Sequence, residues 1–265
     1  MNIVVILKQT PDTESVIRIS GDGKSVVTDG FKWIINPYDE FAVEAALKIK
    51  EKHGGKVTIL SYGPQRVVEA VRTALAMGAD DAVFIDEEHL ESCGRIKVAQ
   101  AVAAAIREMN PDLVFCGSRA VDMDMAQRGP MVAEFLGWPH LAMATSIECD
   151  GKKVSIQRPI EGGKVTQEST LPVLVTFGGS HAVWNPRYAS LPGIMKAKKK
   201  PLQSKKLADL GLDLAEFTPE KAKVRVVSLE MPPERKPGIV IDGGLDTEGK
   251  ARELVRLLHE EAKVI

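Results

Sequence analysis

Several things are scarce in this chain, and each scarcity removes a class of protein. Its three cysteines, Cys93, Cys116 and Cys149, are odd in number and widely spaced among 265 residues. That fits neither a disulfide framework nor a metal site, and a reducing cytoplasm is the expected home. Charge of one sign is lacking too: 35 basic side chains stand against 36 acidic ones, a net charge of −1, so no global positive field exists to hold nucleic acid. No long apolar run opens the chain. The run in "MNIVVILKQTPD" is about five residues long with no basic region ahead of it, which reads as a first strand and not as a leader or membrane span. Familiar catalytic signatures are missing: no G-x-G-x-x-G after the first strand, no Walker loop, no G-x-S-x-G elbow and no histidine pair at metal spacing. His53, His89, His140, His181 and His259 are scattered and read as surface or structural residues.

What is present is a globular composition, with 44% hydrophobic and 27% charged residues, and a strand-helix rhythm. "NIVVILKQ" (2–9) is a continuous apolar run of the kind buried on both faces of a sheet. A polar excursion at 15–30, turning at Gly21-Asp22-Gly23, is expected to form a hairpin. The stretch 36–55 carries helix punctuation: Asn36 as N-cap, Pro37 in the first position, Asp39 and Glu40 in the first turn, and Gly54 just past the end. Phe41, Ala45 and Ile49 mark its inner face, and Glu44 with Lys48 is placed for an i,i+4 pair. Strands at 56–63, 81–86 and 112–118 then alternate with helices at 65–78, 92–109 and within 124–137. This grammar predicts an α/β fold, a doubly wound and mostly parallel sheet.

After Trp138-Pro139 the pattern changes. Short β-rich runs split by Asp-Gly and Gly-Gly turns over 144–179 predict an antiparallel β addition on the same core. A strand is expected at 223–230, and an amphipathic C-terminal helical arm at 246–263 with Leu254, Leu257 and Leu258 as its stripe. The expected division is 1–200 for the α/β domain with its addition and 201–265 for an arm that docks on another chain.

In an open parallel sheet, ligands bind beyond the carboxyl ends of the strands where strand order reverses. That principle selects four stretches, 6–9, 36–39, 61–64 and 117–129, and expects them to converge. "GSRAVDMDMAQRG" is the most informative, joining a glycine-flanked loop, two acids and a helix start suited to phosphate. Asp122 and Asp124 could cap that helix or bond sugar hydroxyls, while Gln127, Arg128 and backbone groups meet the phosphate. A nucleotide-shaped site without catalytic machinery points to binding, or to a cofactor that carries the chemistry itself. Far from it lies "LPGIMKAKKKP" (191–201), an apolar knot before four lysines, by default a solvated loop.

Five separated stretches bear on these readings together: "NPYDEFAVEAAL" (36–47), "TALAMGAD" (73–80), the loop 117–131, "EGGKVTQESTLPVLVT" (161–176) and "NPRYASLPGIMKAKKK" (185–200). In order and interval they resemble the beta subunits of electron transfer flavoproteins, over about residues 1 to 240. The resemblance implies a sheet of the adenine-nucleotide-binding type and a heterodimer with an alpha subunit. In that family the alpha subunit's mobile domain holds most of an FAD, which takes electrons from acyl-CoA and related dehydrogenases and passes them to a membrane-associated quinone oxidoreductase. The beta subunit supplies part of the base on which that domain swings, and binds AMP as a structural nucleotide. By this likeness the nucleotide contacts fall on Ile6, Asn36, Pro37, Tyr38, Asp39 and Tyr62. They continue through Gly117, Ser118, Arg119, Ala120, Val121, Asp122, Met123, Asp124, Met125, Ala126, Gln127 and Arg128. The 185–200 motif becomes a recognition loop in which Leu191 anchors in an apolar pocket of the dehydrogenase, with Pro192, Ile194 and Met195 beside it. The segment 161–172 lies within the family's signature region, near the alpha subunit's FAD domain.

The loop departs from the pattern of AMP-binding members, which carry successive acids followed by Asn-Gln-Thr-Gly-Gln. Its Ala-Gln-x-Gly-Pro ending, residues 126–130 here, is similar to the electron-bifurcating branch, where a second FAD replaces AMP and takes a hydride from NADH. That branch has Gly and Thr where Met123 and Met125 stand, and a bulky methionine would crowd an isoalloxazine ring. AMP is therefore expected, with a second FAD as the alternative. A non-redox adenine-nucleotide module has no need of the 185–200 motif. An adenylating enzyme would want a Ser-Gly-Gly-type pyrophosphate loop where this chain has Lys8-Gln9-Thr10-Pro11.

Overall fold

Alternation along the first strand sets the architecture. In β1 (Asn2–Ile6), Ile3 and Val5, with Leu7 just beyond, enter one hydrophobic cluster, while Val4 and Ile6 enter another. Each is at most 2% exposed, and every such side chain contributes roughly 1.5–3 kcal/mol by burial. A computed structural model describes residues 1–178, 182–234 and 237–265. His181, the end of the 144–179 stretch and the middle of the proline-rich link near 235 lie outside the described residues.

The elements follow the predicted rhythm. A short antiparallel pair, β2 (Gln9–Pro11) and β3 (Trp33–Ile35), precedes α1 (Pro37–His53), β4 (Lys56–Gly63), α2 (Val67–Met77), β5 (Asp81–Asp86), α3 (Arg95–Met109), β6 (Leu113–Gly117) and α4 (Arg128–Leu136). Then come β7 (His140–Ala144), β8 (Ser146–Cys149), β9 (Lys153–Ile160), β10 (Gly163–Thr170), β11 (Val173–Phe177), α5 (Leu191–Ala197), β12 (Leu202–Lys205) and α6 (Thr247–Arg256). Seven strands form one parallel sheet in the order β12-β5-β4-β1-β6-β11-β7. Helices α1, α2 and α5 pack on one face and α3 and α4 on the other, so the sheet is doubly wound. Strand order reverses at β1, with β4 and β5 on one side and β6 on the other.

Several local expectations change. The antiparallel sheet is β10-β9-β8 alone; β7 and β11, from the same stretch, return to the parallel sheet, where Phe177 meets Phe115 edge-on at 5.1 Å. β12 takes an edge that the polar sequence after 201 did not suggest. Residues 223–230 form no strand, since they join no β ladder; Val224 and Val227 are 67% and 77% exposed. The expected hairpin at 15–30 forms only as a short one, in which the Ser20 N–H donates to the Ser25 carbonyl and the Val27 N–H to the Arg18 carbonyl, both at 2.8 Å. Glu44 does not pair with Lys48. It is buried and binds Arg187, whose Nε lies 2.7 Å away.

The chain divides into a unit of Met1–Arg18 with Val26–Val227 and a unit of Ile19–Ser25 with Ser228–Ile265. In the smaller unit the Leu229 N–H donates to the Gly23 carbonyl at 2.8 Å, and Asp246 caps α6 by accepting from the Gly249 N–H at 2.8 Å. No helix among the described residues is long and apolar enough to cross a membrane.

Candidate functional site

The predicted stretches converge where β1, β4 and β6 end, and Asp39 fastens them. This carboxylate sits in the first turn of α1 with no exposed surface. Its Oδ1 accepts the Gly117 N–H at 2.7 Å, its Oδ2 accepts the Lys8 N–H at 2.8 Å, and Nη2 of Arg128 donates to both oxygens at 2.9 and 3.0 Å. One side chain thus ties the ends of two strands to the start of α4. Gly117 permits this, since a Cβ there would collide with Tyr38 and the Asp39 carboxylate.

Asn36 precedes α1, as expected of an N-cap, but its side chain caps nothing. Instead Nδ2 donates to the Arg119 carbonyl at 2.9 Å and Oδ1 accepts the Val121 N–H at 3.2 Å, which fixes the loop after β6. Arg119 lies over the Tyr38 ring at 5.0 Å and pairs with Asp124 at 3.3 Å. Asp124 and Ala126 hold left-handed backbone, with φ of 49° and 52°, an uncommon state for an alanine. Neither Asp122 nor Asp124 caps α4, whose N-cap position is Gln127.

The cavity at this crossing is lined by Tyr62, by Gly117, Ser118, Arg119 and Ala120, by Asp122, Met123 and Met125, and by Ala126, Gln127 and Arg128. Asn36, Tyr38, Asp39 and Asp124 touch its lining residues or loop without lining it, Val121 lies in that loop, Pro37 opens α1, and Ile6 is wholly buried in the core. Lys8 also lines the cavity, as do Glu91, Arg95 and Val98 from the start of α3 and the turn before it. Sequence reasoning selected the stretch holding Lys8 without giving that residue a role, and missed the other three. The only available signal was Gly94 before Arg95, which marks a sharp helix entry (φ 90°).

Most charges at the site are paired with one another: Arg128 with Asp39 and Arg119 with Asp124, which leaves Arg95 as the basic lining residue outside an ion pair among the described residues. Four basic residues line the cavity against two acidic ones, and both acids are engaged: the Lys8 ammonium meets Asp122 at 2.6 Å and Glu91 at 2.9 Å. Burial works against the Lys8 charge, but Tyr62, Glu91 and Asp122 outweigh it and hold the pKa above the ordinary lysine value. Burial likewise opposes the Arg128 charge, and Asp39 restores it. Burial raises the Tyr62 phenol, against the pull of Arg128, and pushes the Cys116 thiol up to about 12. Nε and Nη1 of Arg128 and Oγ of Ser118 are buried without a hydrogen-bond partner. Buried polar groups rarely stay unpaired; the Arg128 guanidinium lies against the Tyr62 phenol and the Cys116 thiol, so a ligand rich in oxygen acceptors, as a nucleotide phosphate is, would meet these shielded atoms only with a shift of the side chains. Among the described residues no cluster of His, Cys, Asp and Glu could hold a metal ion.

The stretch around Leu191 lies elsewhere. It is a short helix, not a loop, and Leu191, Pro192, Ile194 and Met195 on it are all exposed.

Fold and cleft together define a doubly wound α/β protein with a cavity at its topological switch point. A family model described as "Electron transfer flavoprotein domain" matches residues 24–210. The electron transfer flavoprotein subunit beta of Bacillus subtilis is 41% identical over all of both chains. The mouse subunit beta is 39% identical over 97% of this chain and 99% of its own, and that of Bradyrhizobium diazoefficiens 36% identical over all of both. The chain belongs to the electron transfer flavoproteins, in the family of their beta subunits.

Proposed function

We propose that the chain is the beta half of a heterodimeric electron transfer flavoprotein and holds AMP in the cleft beyond β1, β4 and β6. The observation that carries the nucleotide reading is the set of buried, unpartnered donors on Arg128 and Ser118. Those two residues would hold the phosphate, the loop fixed by Asn36 would enclose the rest, and Asp39 keeps Arg128 aimed. Met123 and Met125 line the same cavity and narrow the room for an isoalloxazine ring, which favours AMP over a second FAD. FAD, carried mainly by the alpha subunit, supplies the redox chemistry between an acyl-CoA-type dehydrogenase and a quinone oxidoreductase. This chain's residues bind, orient and dock.

Of the expected arm, 201–265, the part up to Val227 belongs to the larger unit, with β12 in its sheet; the part from Ser228 on packs on the alpha subunit, to which α6 offers Leu254 and Val255, 49% and 55% exposed. Leu191, 80% exposed, enters the dehydrogenase surface with Pro192, Ile194 and Met195 around it. Burying it contributes roughly 1.5–3 kcal/mol, suited to a complex that must separate after each transfer. The assembly works in the cytoplasm.

The test is to co-purify the chain with an alpha subunit and count the released cofactors. One FAD and one AMP per heterodimer is the expected result. Two FAD would establish the bifurcating alternative, and a colourless complex after reconstitution would refute electron carriage altogether.

A further inference from the structure

Helix α5 shows Leu191, Ile194 and Met195 to solvent at 80%, 42% and 72% exposure. With seven residues it is too short to be stable alone, so other parts of the chain decide where those side chains stand. Ahead of it, Arg187 grips α1: Nε and Nη2 bond the two oxygens of buried Glu44 at 2.7 and 3.0 Å, and Nη1 reaches Glu51 at 2.6 Å. Ser190 then caps the helix through the Gly193 N–H at 3.1 Å. Along the seam with α2, Gly193 lets the two helices touch, because a Cβ there would run into the Ala76 carbonyl oxygen.

Behind α5 the α2 and α5 segments cap each other. Nη1 of Arg72, on α2, donates to the carbonyls of Ala197 and Lys200 at 2.6 and 2.8 Å. The Lys200 ammonium returns to the carbonyls of Leu75 and Ala79, at the end of a helix with no basic residue in its own last turn. Each carbonyl end therefore receives a cation, α5 from Arg72 on α2 and α2 from Lys200 in the turn that follows α5. Lys200 is spent on structure, while Lys196, Lys198 and Lys199 remain exposed.

We infer that Arg72 and Lys200, with the Arg187–Glu44 pair, are positioning residues for partner docking: they hold α5 in one orientation before a partner arrives. A ridge ordered in advance loses less entropy on association. The inference rests on the reading of α5 as the docking element.

The experiment uses the complex with its alpha subunit, reduced by an acyl-CoA dehydrogenase with acyl-CoA as the electron source. Arg72→Ala is expected to raise the dehydrogenase's KM for the complex about tenfold with kcat within about twofold. Bound flavin and nucleotide should stay unchanged, and amide hydrogen exchange over 191–197 should quicken. Arg72→Lys should recover part of the KM, and Leu191→Ala should raise KM while exchange stays slow. If Arg72→Ala leaves KM alone while Leu191→Ala raises it, the positioning role is wrong and docking by α5 stands. A raised KM without faster exchange also overturns it, since Arg72 would then act by its charge. If Leu191→Ala itself changes nothing, the docking reading fails and takes this inference with it.

Discussion

A carboxylate with no exposed surface is tolerable only when its oxygens are engaged, and Asp39 meets that condition with two backbone amides and one guanidinium. Replacing it with asparagine would leave the Arg128 charge buried and uncompensated. Asp39→Asn should cost about 3–5 kcal/mol and lower the melting temperature by roughly 10 °C, which calorimetry would show; a wild-type melting temperature would contradict the assignment. Cys116 offers a second check at this scale. Its thiol is buried and its pKa is pushed up to about 12, so at pH 8 it is protonated and closed to reagents. Iodoacetamide should label it only after denaturation, as read by mass spectrometry, and rapid labelling of the native protein would show the packing around β6 to be looser than described. Asn36 and Asp39 were legible as residues of a helix start, but not in their roles. Propensity reads a cap from local chemistry, whereas the partners that recruited these side chains lie about 80 residues away.

Among the elements, α5 depends most on distant residues. Glu44, its side chain 4% exposed, is held by Arg187, which is 35% exposed. Arg187→Ala would strand that carboxylate. The expected cost is about 2 kcal/mol, below that of a fully buried pair because solvent screens Arg187, and Arg187→Lys should recover part of it. Urea denaturation measures this directly, and an unchanged midpoint would count against the clamp. The sequence pattern marked 185–200 as distinctive yet read it as a loop, because a run of lysines is by default a solvated segment. Here Pro192 sits in the first turn of the helix and Gly193 serves helix contact. The i,i+4 rule misassigned Glu44 too: a neighbour on the helix surface lost to a partner brought in by the fold.

At the scale of the molecule, the strand-helix rhythm through β6 was readable because each crossover is local and its strands are continuous apolar runs. β7 and β11 were not, since short β-rich runs look alike whether they form hairpins or rejoin a parallel sheet, and pairing such as β11 on β6 is decided by packing; β12 was hidden because its four residues, Leu202–Lys205, are mostly polar. Whole-chain charge was also a poor guide to the site. A net charge of −1 conceals a cleft lined by four basic and two acidic residues, in which Lys8, Arg119 and Arg128 are each held in ion pairs. The central proposal is that this cleft reads a phosphate through Arg128. Calorimetric titration of AMP into the nucleotide-stripped heterodimer tests it most directly. Binding at one site per beta chain is expected, about tenfold weaker in Arg128→Lys, which keeps the charge and loses the planar fork of donors. Absence of AMP binding, or equal affinity in wild type and Arg128→Lys, would contradict it.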